Sequence, residues 1–262
     1  MAITTFDGLI ASIKRRVTLQ KTVSRTAVAS VPFSVFDLAG NPGPGLLNVG
    51  NTASGIVPTN AIAGYPAMIA PSGSLYLNRF LARSSVASWL DVYDCLFSAG
   101  AYAFNADVTL AAQPSFASRL SSAGDYIGLE LWMETVTAFA GSQTIQINYL
   151  DQDGAAGDTG SIATAVVPIL GRMLALPLAG GDSGLQRIDR VRSSVSTVGT
   201  FNVHIMRWLW GCRINGANQG VVDTLLQTGL AKIFGETALR LVVTADSTAT
   251  GLPSIRGETV DG

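Results

Sequence analysis

The sequence predicts a mainly β protein: an antiparallel two-sheet sandwich, jelly-roll-like in type, with an N-terminal helix and an extended arm. Three observations carry that prediction. From about Leu75 onward, runs of apolar and β-branched residues recur between Gly-rich turns, with no helices regularly spaced between them. One run, Thr144–Tyr149, alternates strictly, with Ile145, Ile147 and Tyr149 on one face and Thr144, Gln146 and Asn148 on the other. The stretch Gly40-Asn41-Pro42-Gly43-Pro44-Gly45 can continue neither a helix nor a central strand. The division expected is 1–75 for helix and arm and 76–262 for the β-sandwich.

At the start of the chain, Phe6, Leu9, Ile10 and Ile13 recur at helical spacing, and Thr4 stands three residues before Asp7 as a capping-box variant. A short amphipathic helix over Thr5–Arg16 is expected. Residues 1–36 hold Lys14, Arg15, Arg16, Lys21 and Arg25 against Asp7 alone, a local charge of +4, in a chain whose net charge is −1. Pro58, Pro66 and Pro71 then prolong the irregular segment, which is too apolar for a free linker and is read as an arm laid along a surface. Eight strands follow: Trp89–Phe97, Tyr126–Val136, Thr144–Tyr149, Ser161–Val167, Arg172–Pro177, Leu185–Ser196, Thr200–Trp210 and Leu239–Thr244. Val222, Leu225, Leu226 and Leu230 suggest a helix over Val221–Ile233, and a helical turn is expected near Gln113–Leu120.

Composition narrows the function. His204 is the only histidine, and charged residues make up 13% of the chain, against about 25% in ordinary soluble domains. That leaves no His pair for a metal and no second His for a relay. An apolar fraction of 48% with few charges suits a subunit that hides surface in an assembly. No secretory signal is read in Met1–Ile13, and no run reaches the about 20 apolar residues of a membrane span. Ile162–Leu170 is too short and contains Pro168. Cys95 and Cys212 are expected as buried free thiols, with a disulfide as the alternative.

Several motifs have a structural and a chemical reading. Asp151-Gln152-Asp153-Gly154 with Asp158 resembles the start of a calcium loop but lacks the distal Glu, and Asp-Gly between strands is itself a turn signal. Gly180–Gly184 lacks the Lys-Ser/Thr of a phosphate loop and leads into a strand, and Ser183 is not framed as a nucleophile elbow. Glu130 and Glu134 would share a strand face at about 13 Å of backbone separation, beyond the about 5–9.5 Å of glycosidase carboxyls. His204 reads as an ordinary strand residue on the face of Asn202 and Met206. Trp208 and Trp210 are taken as core or interface anchors, with sugar stacking as the competitor, and Trp89 and Trp132 lie in other strands. The basic N-terminal group fits either phosphates or an acidic protein surface. Without interleaved aromatics to stack bases, protein docking is the expectation.

The order of elements resembles that of structural proteins in tailed-bacteriophage virions. The resemblance rests on the leading Thr4-Thr5-Phe6-Asp7-Gly8-Leu9-Ile10-Ala11 and the arm Val35-Phe36-Asp37-Leu38-Ala39-Gly40-Asn41-Pro42-Gly43. It also rests on Leu75-Tyr76-Leu77 followed by Leu90-Asp91-Val92-Tyr93-Asp94, and on the strand and turn Gly171–Gly184. It implies a non-enzymatic virion component made in the bacterial host cytoplasm, of the capsid decoration or cement kind. The implied partners are the major capsid protein and neighbouring copies in a homo-oligomer, without cofactor, metal, membrane or direct nucleic-acid contact. Phe6, Leu9, Ile10 and Ile13 would form the apolar docking stripe, and Lys14, Arg15, Arg16, Lys21 and Arg25 its electrostatic complement. A tail, neck or baseplate component and a carbohydrate-binding host-recognition module are the alternatives.

Overall fold

The structure, a computed structural model, describes residues 5–68, 74–139, 141–164, 169–194, 198–229 and 231–261, with the side chains of Phe6 and Ile13 outside the description. In chain order its elements begin with helix α1 (Phe6–Ala11) and strands β1 (Ile13–Lys21), β2 (Pro32–Ser34), β3 (Gly40–Asn41) and β4 (Asn51–Ile56). Next come β5 (Leu75–Arg83), β6 (Ser88–Ala103), β7 (Asp107–Thr109), a 3-10 turn at Ala117–Arg119, β8 (Leu129–Thr137) and β9 (Thr144–Asp151). Then β10 (Ala156–Asp158), β11 (Ile162–Ala163), β12 (Met173–Leu176), β13 (Leu185–Ser193) and β14 (Thr200–Ile214) follow. The chain closes with β15 (Gly220–Asp223), α2 (Leu225–Thr228), β16 (Lys232–Ile233), β17 (Leu239–Ala245) and β18 (Ser254–Asp261).

All the pairings are antiparallel and build three sheets. A long sheet runs β12-β8-β14-β6-β17-β2, with β4 on β6. A middle sheet runs β10-β9-β13-β7, with β11 on β9. A terminal sheet runs β15-β5-β18-β1-β3, with β16 on β5. The expected β-sandwich is present, with a layer that the expectation did not divide. Strands β6 and β14 are long enough to serve two partners in succession. Their upper halves supply Phe97, Ala99, Val203 and Ile205 to a core shared with Ile145, Ile147, Tyr149 and Ile188 of the middle sheet. Their lower halves supply Leu90, Val92, Trp210 and Ile214 to a second core shared with Val17, Leu77, Phe80 and Ile255 of the terminal sheet. Two breaks in register, one where Leu96 of β6 is extra opposite Ile205 and Met206 and one where Leu209 of β14 is extra between Trp208 and Trp210, each shift the alternation by one, so both sets point to the same side of the long sheet.

Between the two cores, buried Asp94 meets Arg119 from the 3-10 turn and, at 3.3 Å, Arg207 of β14. A third, smaller cluster with Phe36, Leu47, Tyr65, Cys95, Trp132 and Met206 lies on the opposite side of the long sheet, roofed by the segment 35–65.

Two expected elements differ. The helix predicted for Thr5–Arg16 stops at Ala11: Thr5, not Thr4, caps it by accepting from the Gly8 N–H at 3.0 Å, and Ser12 Oγ donates back to the Leu9 carbonyl at 2.7 Å. Six residues of helix gain little by themselves, whereas Ile13–Gln20 gains an eight-residue ladder against β18. The helix predicted for Val221–Ile233 is divided among β15, α2 and β16. Val222 pairs with Leu81 of β5, Gly229 ends the helix at φ +58, and Leu230 lies outside the described residues. The described part of segment 1–75 is therefore woven into the sheets: β1 is flanked by β18 and β3, β2 pairs with β17, and β4 pairs with β6. The turn near Gln113–Leu120 forms at Ala117–Arg119, and the part of Ser161–Val167 beyond Thr164 and the end of Leu185–Ser196 lie outside the described residues.

Candidate functional site

The N-terminal residues expected to act together take three different positions. In α1, Leu9 is buried and Ile10 is 59% exposed. In β1, alternation sends Val17 and Leu19 inward and Lys14 and Arg16 outward, while Arg15 reaches Asp261 at 3.6 Å. Lys21 and Arg25 face the interior. Lys21 Nζ donates to the carbonyls of Leu38 at 2.9 Å and of Phe36 and Pro42 at 3.4 Å, and burial pulls its ammonium down to about 8. Arg25 donates to both carboxylate oxygens of Asp37 at 2.5 Å and to the Leu170 carbonyl at 2.7 Å. These two cations hold the irregular segment 35–42 in place, so the basic group is divided between an interior clamp and a surface.

That surface is the outer face of the terminal sheet. Register places Arg16 beside Glu258 and Glu258 beside Arg79, with Arg256 beside Leu81 and Leu81 beside Val222 in the next row. Lys14, Arg16, Arg79, Arg83 and Arg256 are exposed, and Glu258 is the carboxylate among them, within 3.4 Å of Arg79. A groove of about 290 Å³ runs between Arg16, Arg79, Leu81, Val222 and Arg256. The groove thus sets exposed Leu81 and Val222 among cationic side chains, and α2, which follows β15, exposes Leu226. Arg79, Arg83 and Arg256 were missed by sequence reasoning: they stand far apart in the chain, and only the β5–β18 pairing brings them together.

On the roofed side of the long sheet lies a second constellation, also missed. Ser98 Oγ is 2.8 Å from His204 Nδ1, His204 Nε2 is 3.1 Å from Glu134, and Arg240 donates to the other Glu134 oxygen at 2.5 Å. Cys95 Sγ stands 3.3 Å from Ser98 Oγ. Burial pushes the Glu134 carboxyl up, but Arg240 and His204 outweigh it and hold the group at about 2. The order serine, histidine, carboxylate is that of a proton relay, yet the Glu134 charge is committed to a guanidinium and each member is at most 2% exposed. A partly open cavity of about 180 Å³ above them is walled by Phe36, Leu47 and Tyr65 and by exposed Leu46 and Ile62, and Asn202 Nδ2 fastens that wall by donating to the Leu47 carbonyl at 2.6 Å. Chemically this is a neutralised ion cluster that ties the 35–65 segment to the sheet. The signal available in the sequence was Arg240, a lone charge inside Leu239-Arg240-Leu241-Val242-Val243, which demands a buried counter-ion.

The remaining candidates separate cleanly. Trp210 is a core residue, stacked on Phe80 with ring centroids 4.4 Å apart and donating to Asp223 at 2.9 Å. Trp208 is half exposed and donates to Asp91 at 3.1 Å. Glu130 accepts from Trp132 Nε1 at 2.8 Å, so it and Glu134 serve different partners. Asp151 folds the 151–155 turn by accepting the N–H groups of Asp153 and Ala155, both at 2.8 Å. Cys95 and Cys212 are buried free thiols. Among the described residues no helix is long and apolar enough to cross a membrane.

No family model matches the chain, and no curated protein matches it. Among solved structures it is similar to the infectious bursal disease virus Gt strain structure at 11% identity, over 95% of this chain and 81% of that one, with a TM-score of 0.20. It is also similar to T=1 particles derived from infectious bursal virus, at 9% identity over 95% and 77% of the two chains and a TM-score of 0.19. For the Gx strain structure the values are 10% identity, 95% and 80%, with a TM-score of 0.18. Agreement at that level does not amount to a shared fold, and nothing about this chain follows from it.

Proposed function

We propose that the protein is a structural component of a virion, acting by contact rather than catalysis, of the capsid decoration or cement kind. The observation that carries this reading is the outer face of the terminal sheet, where exposed Leu81 and Val222 sit among Arg16, Arg79 and Arg256. Apolar anchors ringed by arginines are the makeup of a protein interface, and arginine is among the residues enriched there. The low charge content and the commitment of the buried cations to internal partners support the same reading. Its partners would be the major capsid protein and neighbouring copies, now met through a sheet face rather than a helix stripe.

Gold-labelled antibody against the protein on purified particles tests it. Label over the whole shell is the expected result. Label confined to one vertex or the tail moves the protein to a neck, tail or baseplate role, and its absence from particles overturns the proposal. A second reading, glycan recognition, is favoured by the half-exposed Trp89 and Trp208 flanking Asp91. Glycan-array binding that is lost in Trp208→Ala would establish it; Trp210→Ala is unsuited to the test because Trp210 is core.

A further inference from the structure

Two surface patches of opposite sign stand out among the described residues. On the outer face of the terminal sheet, Lys14, Arg16, Arg83 and Arg256 are exposed, and Glu258, the carboxylate beside them, is ion-paired with Arg79. Unpaired carboxylates gather elsewhere, where three loops are knitted together at one end of the middle sheet. Gly128 N–H donates to the Ser183 carbonyl at 2.8 Å, Ile127 bridges to Gly184, and Ser183 N–H donates to Gln152 Oε1 at 2.9 Å. These contacts place Asp125, Asp153 and Asp182 in one loop cluster.

The hydrogen bonds those carboxylates accept are neutral: Asp125 from the Ile127 N–H, Asp153 from Gln152, and Asp182 from the Tyr149 hydroxyl at 2.6 Å. In the same cluster Ile127 is 66% exposed. A groove of about 600 Å³ with apolar walls from Leu129, Leu131, Leu176 and Leu178 opens beside Asp182.

One surface therefore offers cations around exposed Leu81 and Val222, and another offers carboxylates around exposed Ile127 and an apolar groove. We propose that the two surfaces dock on each other between copies: the basic face of the terminal sheet receives the acidic loop cluster 125–128, 152–154 and 182–184 of a second copy of this chain. The occupant follows from charge complementarity, since each surface carries what the other lacks, and like-charged pairings of either surface with itself are disfavoured. Because the two patches differ, the contact is head-to-tail, and it closes into a ring or extends as an array instead of stopping at a two-fold dimer. The inference rests on the assembly reading above and supplies one of its partners.

The test is sedimentation of the full chain at low and high salt, with two charge-reversal variants at exposed positions, R16E/R256E and D125K/D153K. The wild type should self-associate at low salt and weaken as salt rises, and each variant alone should associate at least about tenfold more weakly. An equimolar mixture of the two variants should recover association, because each retains the surface the other has lost. All four sites are solvent-facing, and circular dichroism of each variant confirms that the fold is kept. A wild type that sediments as a single chain, or variants that associate as well as the wild type, would overturn the proposal. If the wild type stays a single chain yet binds an acidic capsid protein through Lys14, Arg16 and Arg256, the occupant of the basic face is that protein and the proposal fails. The assembly reading is judged separately, by the labelling of particles, and survives a failure here.

Discussion

The middle sheet is drawn from one stretch of chain, residues 107–193, whereas the terminal sheet combines β1 from near the start, β5, β15 and β16 from between, and β18 from near the end. Both cover the same side of the long sheet, and both fill their cores with alternate residues of their strands. They differ in what sits on the inward face. In β9 each inward residue from Ile145 to Tyr149 is apolar, and the polar ones point out. In β1 the inward row includes Arg15 and Lys21 beside Val17 and Leu19, each needing its own internal acceptor. The middle sheet is held mainly by burial of apolar area. The terminal sheet adds ion and hydrogen-bond clamps that join segments far apart in sequence.

The largest effect that would break this comparison is truncation. Removing residues 1–21 takes β1 from between β18 and β3 and exposes the core beneath it, with a loss comparable to the whole about 5–15 kcal/mol that stabilises a typical domain. The expected product is aggregated or molten by near-ultraviolet circular dichroism. A cooperatively folded truncate would show that the terminal sheet stands without its N-terminal strand.

Next in size is Glu134→Gln, in the layer beneath both sheets. It leaves the Arg240 guanidinium buried without its counter-charge and should cost about 3–5 kcal/mol in urea unfolding. The same group sets an acid limit. Its carboxyl titrates near 2 in the fold against 4.5 for a free glutamate, so its stabilisation is complete above about pH 4.5 and is lost as pH falls toward 2. Unfolding midpoints of wild type and variant measured between those values should converge as pH drops; parallel lines would remove Glu134 as the titrating group.

The smallest effect sharpens the contrast. Tyr149→Phe removes a hydroxyl that donates to Asp182 and accepts the Ala179 N–H at 2.7 Å, while the ring stays in the apolar core. A loss of about 1 kcal/mol is expected, the net value of ordinary hydrogen bonds. A loss as large as that of Glu134→Gln would mean that the middle sheet, too, depends on polar clamps.

The same contrast explains what the sequence revealed. Trp89–Phe97, Thr144–Tyr149, Thr200–Trp210 and Leu239–Thr244 were legible because their apolar runs satisfy one local rule, and each lies within a longer observed strand. Strand β1 was hidden behind Phe6, Leu9, Ile10 and Ile13, whose helical spacing overran the real helix end at Ala11. The outward Lys14, Arg16, Thr18 and Gln20 were the available sign of a strand. Strand β5 was obscured by the irregularity opposite Glu258 and Thr259, where the extra Asn78 breaks its alternation. The basic face of the terminal sheet was half legible: Lys14 and Arg16 could be picked as basic, but Arg79, Arg83 and Arg256 join them only through long-range pairing. The roofed ion cluster was illegible, because a charge in an apolar strand says that a partner exists and not where in the chain it is.

The pairing of Ile13 with Asp261 has a further consequence. Ile13 and Asp261 lie side by side at one end of the β1–β18 ladder, so a linker of a few residues could join these two positions without bending either strand. A permuted chain opened instead at the exposed Gly154 turn would keep each pairing of the terminal sheet while making β1 and β18 covalent neighbours. Their association, now the most distant in the sequence, would become a local hairpin closure, and folding should accelerate accordingly.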